Sequence, residues 1–595
     1  MFDTAASGNR ADTSKHGRKS NLLRKVFPIS GWVSNYRRED LIGDLMAGLI
    51  VAIMLVPQSM AYAMLAGLPP QVGLYASILP LIIYAVFGSS RVLAVGPVAM
   101  VSLLTLSGIG AIAQAGTAEF VALALILALM TGVIQLLMGI ARLGFLVNFL
   151  SHPVLVGFTS AAALVIGSSQ LKHIFGIDVA RTEHPYQLFI NVANNLPETN
   201  LIALGVGAGS IFVLLYFKYF FKRNLLGLGF GSGIADTLSK AGALLVVLVS
   251  TLIAWGIALD SGFGLKIVGE IPAGLPPLTF PSLQTSQIIA LIPIALIISL
   301  VGFMESISIA TTLASRRRQK IDPNQELIAL GAANVGASVT GGYPVTGGLS
   351  RSVVNFSAGA NTNLSSIVTA VLIALTVLLF TPLFYYLPRA TLAAIVIVAV
   401  ASLFDLKSFR HIWAYSKTDA AALLATFLAV LAFNIEIGIG VGVATALVLH
   451  LYRTSKPHVA VVGRVGETEH FRNVLRHEVN TCPDACAVRI DESLYFANTR
   501  ELENTLLSAV ADNPELKNII LICSAVNFID SSALDTLERA VDELRDAGVN
   551  LYLAEVKGPV MDRLKAIGFV DKFGKENIFL SCHQAFQFLG CEKER

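Results

Sequence analysis

The sequence predicts a polytopic α-helical membrane protein with a small α/β domain after its last span. Three observations carry this. The chain has 595 residues, 54% hydrophobic and only 14% charged, and its mean hydropathy is +0.68. Apolar runs of about 20 residues, long enough to cross a bilayer core, recur from residue 42 to residue 452. Beyond residue 455 charge becomes frequent and the apolar runs shorten. A net charge of +3 gives no reason to expect a nucleic-acid partner.

Residues 1–40 are polar and basic, with Arg18, Lys19, Arg24, Lys25, Arg37 and Arg38. They lack the apolar stretch of a cleavable signal, and a basic arm before a first span is retained in the cytoplasm. The first span is expected at 42–64, with Asp44 at its entrance. Gln58 and Tyr62, four residues apart within it, share a face. They either line a site or hydrogen-bond between helices. A second span reads at 71–87, and a short one follows Pro97. Others read at 118–140, 153–171, 200–219, 240–258 and 286–312. The region 326–403 holds about four more, one before Gly341, one after Ser352, then 364–387 and 390–404. The last two are expected at 418–433 and 436–452. That is about fourteen, with short pieces near positions three and ten.

Loop charges test the count. Cytoplasmic loops carry the excess of Lys and Arg. Basic clusters follow the even-numbered spans: Arg142; Lys218, Lys222 and Arg223; Arg316, Arg317, Arg318 and Lys320; Lys407, Arg410 and Lys417; Arg453 and Lys456. The opposite loops at 173–199 and 259–285 are poor in these residues, with Arg181 and Lys266. Both termini are therefore expected inside an inner (plasma) membrane.

Two stretches are not written as continuous membrane helix. One is Thr340-Gly341-Gly342-Tyr343-Pro344-Val345-Thr346-Gly347-Gly348-Leu349-Ser350-Arg351-Ser352; the other runs from Gly88 to Ala99 through Arg91, Gly96 and Pro97. Broken backbone at membrane depth survives only where protein or a watery cavity satisfies it. Interrupted segments in matching places of two halves point to a transporter's substrate site. A helix starting near Ser350 would offer free N–H groups and a favourable dipole to an anion. Arg351 beside it either attracts the anion or snorkels from a helix end. Arg91 reads as a topogenic or lipid-facing residue near the cytoplasmic edge.

Glu305 lies well inside the eighth span. A charge there costs several kcal/mol unless paired, hydrated or protonated. It is expected to carry a proton or coordinate a cation; the alternative is a protonated side chain satisfied by a neighbouring helix. Ser308 and Thr312 follow at i+3 and i+7 and extend a polar stripe suited to sodium or substrate.

After 455, residues 488–490, 519–523 and 549–554 read as buried strands, and 498–511 and 532–547 as amphipathic helices. Asp530 or Ser531 can cap the second helix. All five cysteines, Cys482, Cys486, Cys523, Cys582 and Cys591, fall in this part. An odd, scattered set reads as reduced thiols in a cytosolic domain. Cys482 and Cys486 would be half of a zinc site, but no second pair has suitable spacing, and the ten histidines form no ligand pattern. No metal or cofactor is expected. No serine-hydrolase elbow, Walker loop or dinucleotide fingerprint is suitably placed, so nothing supports an enzyme.

With these residues in hand, the chain resembles the sulfate permease (SulP) family of anion transporters. The matching stretches are Pro57-Gln58-Ser59-Met60-Ala61-Tyr62-Ala63, Gly67-Leu68-Pro69-Pro70, Gly73-Leu74-Tyr75, Phe87-Gly88-Ser89-Ser90-Arg91 with Gly96-Pro97, and Leu349-Ser350-Arg351-Ser352. In the tail, Val526-Asn527-Phe528-Ile529-Asp530-Ser531-Ser532-Ala533-Leu534 looks like the core of a STAS domain. The resemblance implies a seven-plus-seven inverted repeat with core and gate domains. It implies an anion pocket lined by Gln58 and Tyr62 from span one, the backbone of Val98 and Ala99, Glu305 from span eight, and Ser350 and Arg351 from span ten. It also implies a homodimer, and it makes Ser532 the position that would correspond to the phosphorylated serine of STAS relatives. The expected division is a cytoplasmic N-terminal region at 1–40, a transport domain at 41–455, and a linker and STAS domain at 456–595.

The function expected is secondary active uptake of a small inorganic anion, sulfate first, coupled to protons by alternating access. Bicarbonate with sodium is the first alternative and a dicarboxylate the next. A regulator of another class, merely tethered by its spans and acting through a cytosolic partner of the tail, does not need fourteen spans with polar interruptions.

Overall fold

The computed structural model describes residues 27–34, 36–149, 151–179, 185–231, 235, 238–282, 284–433 and 435–591. Arg18, Lys19, Arg24, Lys25 and Arg181 lie outside them. The chain divides into two compact units, Met1–Ala444 and Thr445–Arg595.

The first unit is helical. Its principal segments, in order, are α1 (Arg38–Leu65), α2 (Leu79–Phe87), α3 (Ala99–Gly110), α4 (Ala118–Ile140), α5 (His152–Phe175), α6 (Leu201–Tyr216) and α7 (Gly242–Gly256). They are followed by α8 (Thr285–Arg316), α9 (Pro323–Val339), α10 (Leu349–Ser357), α11 (Leu364–Leu379), α12 (Arg389–Val400) and α13 (Lys417–Ala432). A last segment, α14 (Ile435–Ser455), runs across the division between the units. Among the described residues, eight helices are long and apolar enough to cross a membrane. α3 and α10 are not: 12 and 9 residues at 1.5 Å per residue rise only about 18 and 14 Å, against a core of roughly 30 Å. These are the two short pieces expected at positions three and ten.

Local chemistry sets several boundaries. The Thr117 hydroxyl accepts from the Phe120 N–H at the start of α4, and Asn200 does the same for α6. Asp322 caps α9, with Pro323 in its first turn, where a missing N–H costs nothing. The segment expected at 71–87 is in fact two pieces, Pro70–Tyr75 and α2. Pro80, which has no N–H to donate, sits in the first turn of α2. The span expected to reach 387 ends at Leu379, because Pro382 follows in a short 3₁₀ turn.

Most helix contacts fall within two sets, which are joined where α1 packs on α12. α4 lies along α9 and α8, α2 packs on α9, and α1 packs on α11 and α10. α5 packs on α12, α13 and α6, and α6 on α7. Where α4 and α9 cross, a Cβ on Gly331 would come within 2.8 Å of the Gly132 carbonyl oxygen. Two long helices can only approach that closely without side chains, which is how membrane helices commonly pack.

The second unit contains a six-stranded sheet in the order β4-β3-β5-β6-β7-β8. The strands are β3 (Val459–Arg464), β4 (Phe471–Asn473), β5 (Ala485–Ile490), β6 (Asn518–Ile522), β7 (Asn550–Ala554) and β8 (Ile578–Phe579); β1 (Val95–Gly96) and β2 (Thr346–Gly347) belong to the first unit. β5 to β8 are parallel, and β3 pairs antiparallel with β4 and β5. The principal helices are α15 (Thr499–Asp512), α16 (Ser531–Asp546), α17 (Gly558–Ala566) and α18 (Cys582–Phe588). The three strands and two helices expected here are present as β5, β6, β7, α15 and α16. The strands not foreseen are β3, β4 and β8; β4 and β8 hold only three and two residues.

The cysteines require a correction. Cys482 and Cys591 are joined by a disulfide with Cα atoms 5.5 Å apart, so only Cys486, Cys523 and Cys582 are free. The two ends are 109 residues apart in sequence. They meet because α18 returns to the sheet, burying Ala585 and Phe586, and because Phe586 packs edge-on against Phe471 with ring centroids 4.8 Å apart. No group of three or more His, Cys, Asp or Glu capable of holding a metal is found among the described residues.

Candidate functional site

The two broken stretches meet. Val95–Gly96 forms β1 and Thr346–Gly347 forms β2, and they pair antiparallel with Val95 opposite Gly347 and Gly96 opposite Thr346. The ladder continues as Gly348 N–H to Ala94 O at 3.0 Å. The Ser352 hydroxyl accepts from Ala94 N–H at 2.9 Å. α3 and α10 therefore start side by side. Their N-cap residues, Val98 and Gly348, are extended and provide no side-chain cap. An uncapped N-terminus leaves N–H groups and the positive end of the helix dipole available to an anion.

Arg351 holds the two breaks together. It is 1% exposed. Nε donates to Ala94 O at 2.8 Å, Nη2 to Gly96 O at 2.8 Å and Thr346 O at 2.9 Å, and Nη1 to Pro97 O. Four of its five N–H groups are thus spent on backbone carbonyls that the breaks leave without helical partners. The guanidinium folds back over Gly348, where a Cβ would lie 2.7 Å from its Cζ; only glycine fits.

The α8 helix braces the same junction. The Thr346 hydroxyl donates to Gly302 O at 2.6 Å and lies 2.7 Å from Ser306 Oγ, which accepts from Gly347 N–H at 2.8 Å. Glu305 lies between Gly302 and Ser306 in the sequence of α8, and its Oε2 is buried with no hydrogen-bond partner among the described residues. Tyr62 and Glu305 are both within electrostatic reach of Arg351. Gln58 and Tyr62 are buried at 8% and 7% exposure. Gln58, Tyr62, Val98, Ala99, Glu305 and Arg351 thus belong to elements gathered at this junction. Ser350 is exposed on α10, and Ser308 and Thr312 are exposed on α8. The hydroxyl of α8 that reaches the break is Ser306, not Ser308.

Sequence reading missed the supports. Asn334 on α9 accepts from Val345 N–H at 2.7 Å and donates to Val345 O and Gln135 Oε1, each at 3.0 Å. Tyr343 and Ser102 join hydroxyls at 2.8 Å, and Asn355 donates to Val92 O at 3.0 Å. Glu326 on α9 is fully buried. It accepts from Tyr84 Oη at 2.8 Å, from Ser89 N–H at 2.8 Å and Oγ at 2.7 Å, and from Ser90 N–H at 3.0 Å. The rule that flagged Glu305 would have flagged it too. In the tail, Asp530 is the cap of α16, accepting from Ala533 N–H at 2.8 Å, and Ser532 is exposed beside it.

Two half-helices with free N-termini, paired through their linkers inside a bundle of spanning helices, define a membrane carrier of the broken-helix type. Comparison with known proteins makes the assignment specific. The sulfate permease family matches residues 41–426, and the STAS domain matches residues 476–585. The chain belongs to the sulfate permease family: it is an anion transporter with a C-terminal STAS domain. It is 38% identical over 575 residues to the probable sulfate transporter 4.2 of Arabidopsis thaliana, covering 94% of this chain and 83% of that one. It is 33% identical to the high affinity sulfate transporter 2 of Stylosanthes hamata, covering 99% and 90%. The structure of the murine anion transporter Slc26a9 in its inward-facing state superposes with a TM-score of 0.87 at 26% identity, covering 99% of this chain and 97% of that one. The transmembrane domain of a cyanobacterial bicarbonate transporter, BicA, shares the fold, with a TM-score of 0.56 at 22% identity over 69% of this chain.

Proposed function

We propose that the protein carries sulfate across its membrane by alternating access, with a proton bound at Glu305 as the coupling ion. The observation that carries this reading is the junction of α3 and α10: two uncapped helix N-termini beside Glu305, with Arg351 locked into the backbone between them. Gln58 and Tyr62 close the pocket from α1, the backbone at Val98 and Ala99 and the start of α10 at Ser350 supply N–H groups, and Ser308 and Thr312 continue the polar path along α8. Sulfate is favoured over bicarbonate and dicarboxylates because the curated plant relatives named above are sulfate transporters.

A membrane potential negative inside opposes anion entry by roughly 2.3 kcal/mol per charge per 100 mV, so accumulation needs a coupled cation. Protonation of Glu305 neutralises the carboxylate whose oxygen is buried without a partner among the described residues, letting anion and proton travel together. The test is radiolabelled sulfate uptake into proteoliposomes, with proton and sodium gradients imposed separately. A proton gradient should drive accumulation in the unmodified protein. In Glu305→Gln it should not, while sulfate–sulfate exchange persists. Proton-driven accumulation that survives in Glu305→Gln removes the coupling role, and bicarbonate or dicarboxylate uptake without sulfate uptake removes the substrate assignment.

A further inference from the structure

A polar cavity of about 270 Å³ lies away from the α3–α10 junction, at the end of the first unit where α1 begins and α8 ends. Trp32, Asp40, Arg91, Arg317, Gln319 and Thr362 line it. A neighbouring cavity of about 280 Å³ shares Trp32 and Arg91. The positive-charge bias of the loops assigns this end to the cytoplasm.

The hydrogen-bond inventory of this cavity is one-sided. Trp32 is 7% exposed, and its Nε1–H is buried with no acceptor among the described residues. An indole N–H can only donate, and a buried donor left unpaired costs about 1–3 kcal/mol. Arg91 has no hydrogen bond or ion pair among the described residues. Arg317 lies with its guanidinium 4.6 Å from the centre of the Phe356 ring. Its Nη1 is committed to Ala360 O and Asn361 Oδ1, leaving Nε and Nη2 without acceptors among the described residues. Burial lowers Arg317 below the ordinary guanidinium range; Asp44 opposes this, and the like charge of Arg91 adds to it. Two guanidinium groups are therefore close enough to repel one another.

The nearby carboxylates do not balance them. Asp44 is fully buried, and it already accepts from Asn361 N–H at 2.7 Å, Thr362 N–H at 3.0 Å, the Thr362 hydroxyl and Tyr36 Oη at 3.2 Å. Asp40 accepts from Arg37 N–H at 3.1 Å in the capping box of α1. In the adjoining cavity, Asp322 is spent on the first turn of α9. Two guanidinium groups, the Trp32 ring and the Gln319, Asn361 and Thr362 side chains line the cavity, set against one partly used carboxylate.

We propose that this cavity is a second oxyanion site, distinct from the transport site, taking a small tetrahedral oxyanion of the sulfate or phosphate type, either free or as a lipid headgroup. Its volume falls just below the roughly 300–1,000 Å³ of organic-ligand pockets, which suits an oxyanion rather than a larger metabolite. Guanidinium groups bind such anions through paired N–H donors, and the Trp32 ring borders the same cavity. An occupant would bridge Arg91, on the linker leading into β1 and α3, to Arg317, at the end of the helix that carries Glu305. It would thereby brace two elements of the transport site from behind.

Trp32 is one of three tryptophans in the chain, so it can report on the site. With Trp255→Phe and Trp413→Phe introduced in the full-length protein in detergent, sulfate or inorganic phosphate is titrated at constant ionic strength. A saturable change in Trp32 emission is expected, with affinity at least tenfold weaker in Arg91→Gln and in Arg317→Gln and unaltered in Gln58→Ala. Arg91→Gln is the decisive variant, because among the described residues that side chain has no hydrogen-bond or ion-pair partner to lose. A parallel pair of nanodiscs separates the two sources. A response to phosphate in phosphatidylcholine discs identifies the free anion, and a response to phosphatidylglycerol without added anion identifies the headgroup. No response in either disc, a titration unaffected by Arg91→Gln, or one abolished by Gln58→Ala overturns the proposal.

Discussion

Arg351 and Gly96 are joined by a hydrogen bond of 2.8 Å, from a guanidinium on one half-helix to a carbonyl in the linker of the other. Arg351 therefore acts as a strut as well as a source of positive potential. Its hydrogen bonds among the described residues all go to backbone carbonyls, and these come from both breaks. A lysine in its place keeps the charge but has three donors on a single nitrogen, which cannot span the same four carbonyls.

Arg351→Lys and Arg351→Gln should accordingly both be destabilised, by roughly 3–5 kcal/mol, the range for removing one partner from a buried charged network. Thermal unfolding of purified protein, read together with sulfate flux, checks this. If the potential alone mattered, Arg351→Lys would retain both its melting temperature and its flux, and only the glutamine variant would lose transport.

A second buried network should behave differently on substitution. Glu326 ties α9 to Tyr84 on α2 and to Ser89 and Ser90 in the linker that leads to α3. A glutamine retains one carbonyl oxygen for the Ser89 and Ser90 donors and turns an amide N–H toward the Tyr84 hydroxyl, which can accept it. Glu326→Gln should cost no more than about 1 kcal/mol, the scale of one neutral hydrogen bond. Glu326→Ala strands several buried donors and should cost about 3 kcal/mol or more. Equal melting temperatures for the two variants would show that the network is not what holds the linker.

The extent to which sequence reached this site follows from the physics of each signal. Spanning helices announce themselves by continuous hydropathy, so segments such as α4 and α5 were legible nearly to their ends. The two breaks were legible because Gly and Pro clusters conflict with an apolar surround. Their partnership was not: β1 and β2 are two residues each, and no local pattern says that Gly96 faces Thr346. Asn334 and Gln135 read as ordinary polar residues on apolar helices until the fold brings them together. Helical spacing puts Ser308 and Thr312 on one face with Glu305, but it does not say which way that face points, and the hydroxyl that meets the break is that of Ser306.

The Cys482–Cys591 link is where composition misled most directly, and thiol counting tests it. Cys486 is partly exposed, whereas Cys523 and Cys582 are buried. Burial pushes the Cys523 thiol up to about 12 and raises Cys582 as well, with Glu555 adding to both. Burial also raises Cys486, but that side chain remains reachable. The thiolate is the reactive form, so at pH 8 the native protein should alkylate at Cys486 well before Cys523 and Cys582. Denaturation without reductant should expose three thiols and reduction all five, since five cysteines less the two of the disulfide leave three. Peptide mass mapping after each step reads the result. Five thiols in the denatured, unreduced protein would mean that Cys482 and Cys591 are not joined. The approach of α18 to Phe471 would then rest on the buried Phe586 and Ala585 contacts alone, and Cys482→Ser should leave the melting temperature of the tail unchanged. With the link in place, that substitution should instead lower tail stability by about 2–4 kcal/mol.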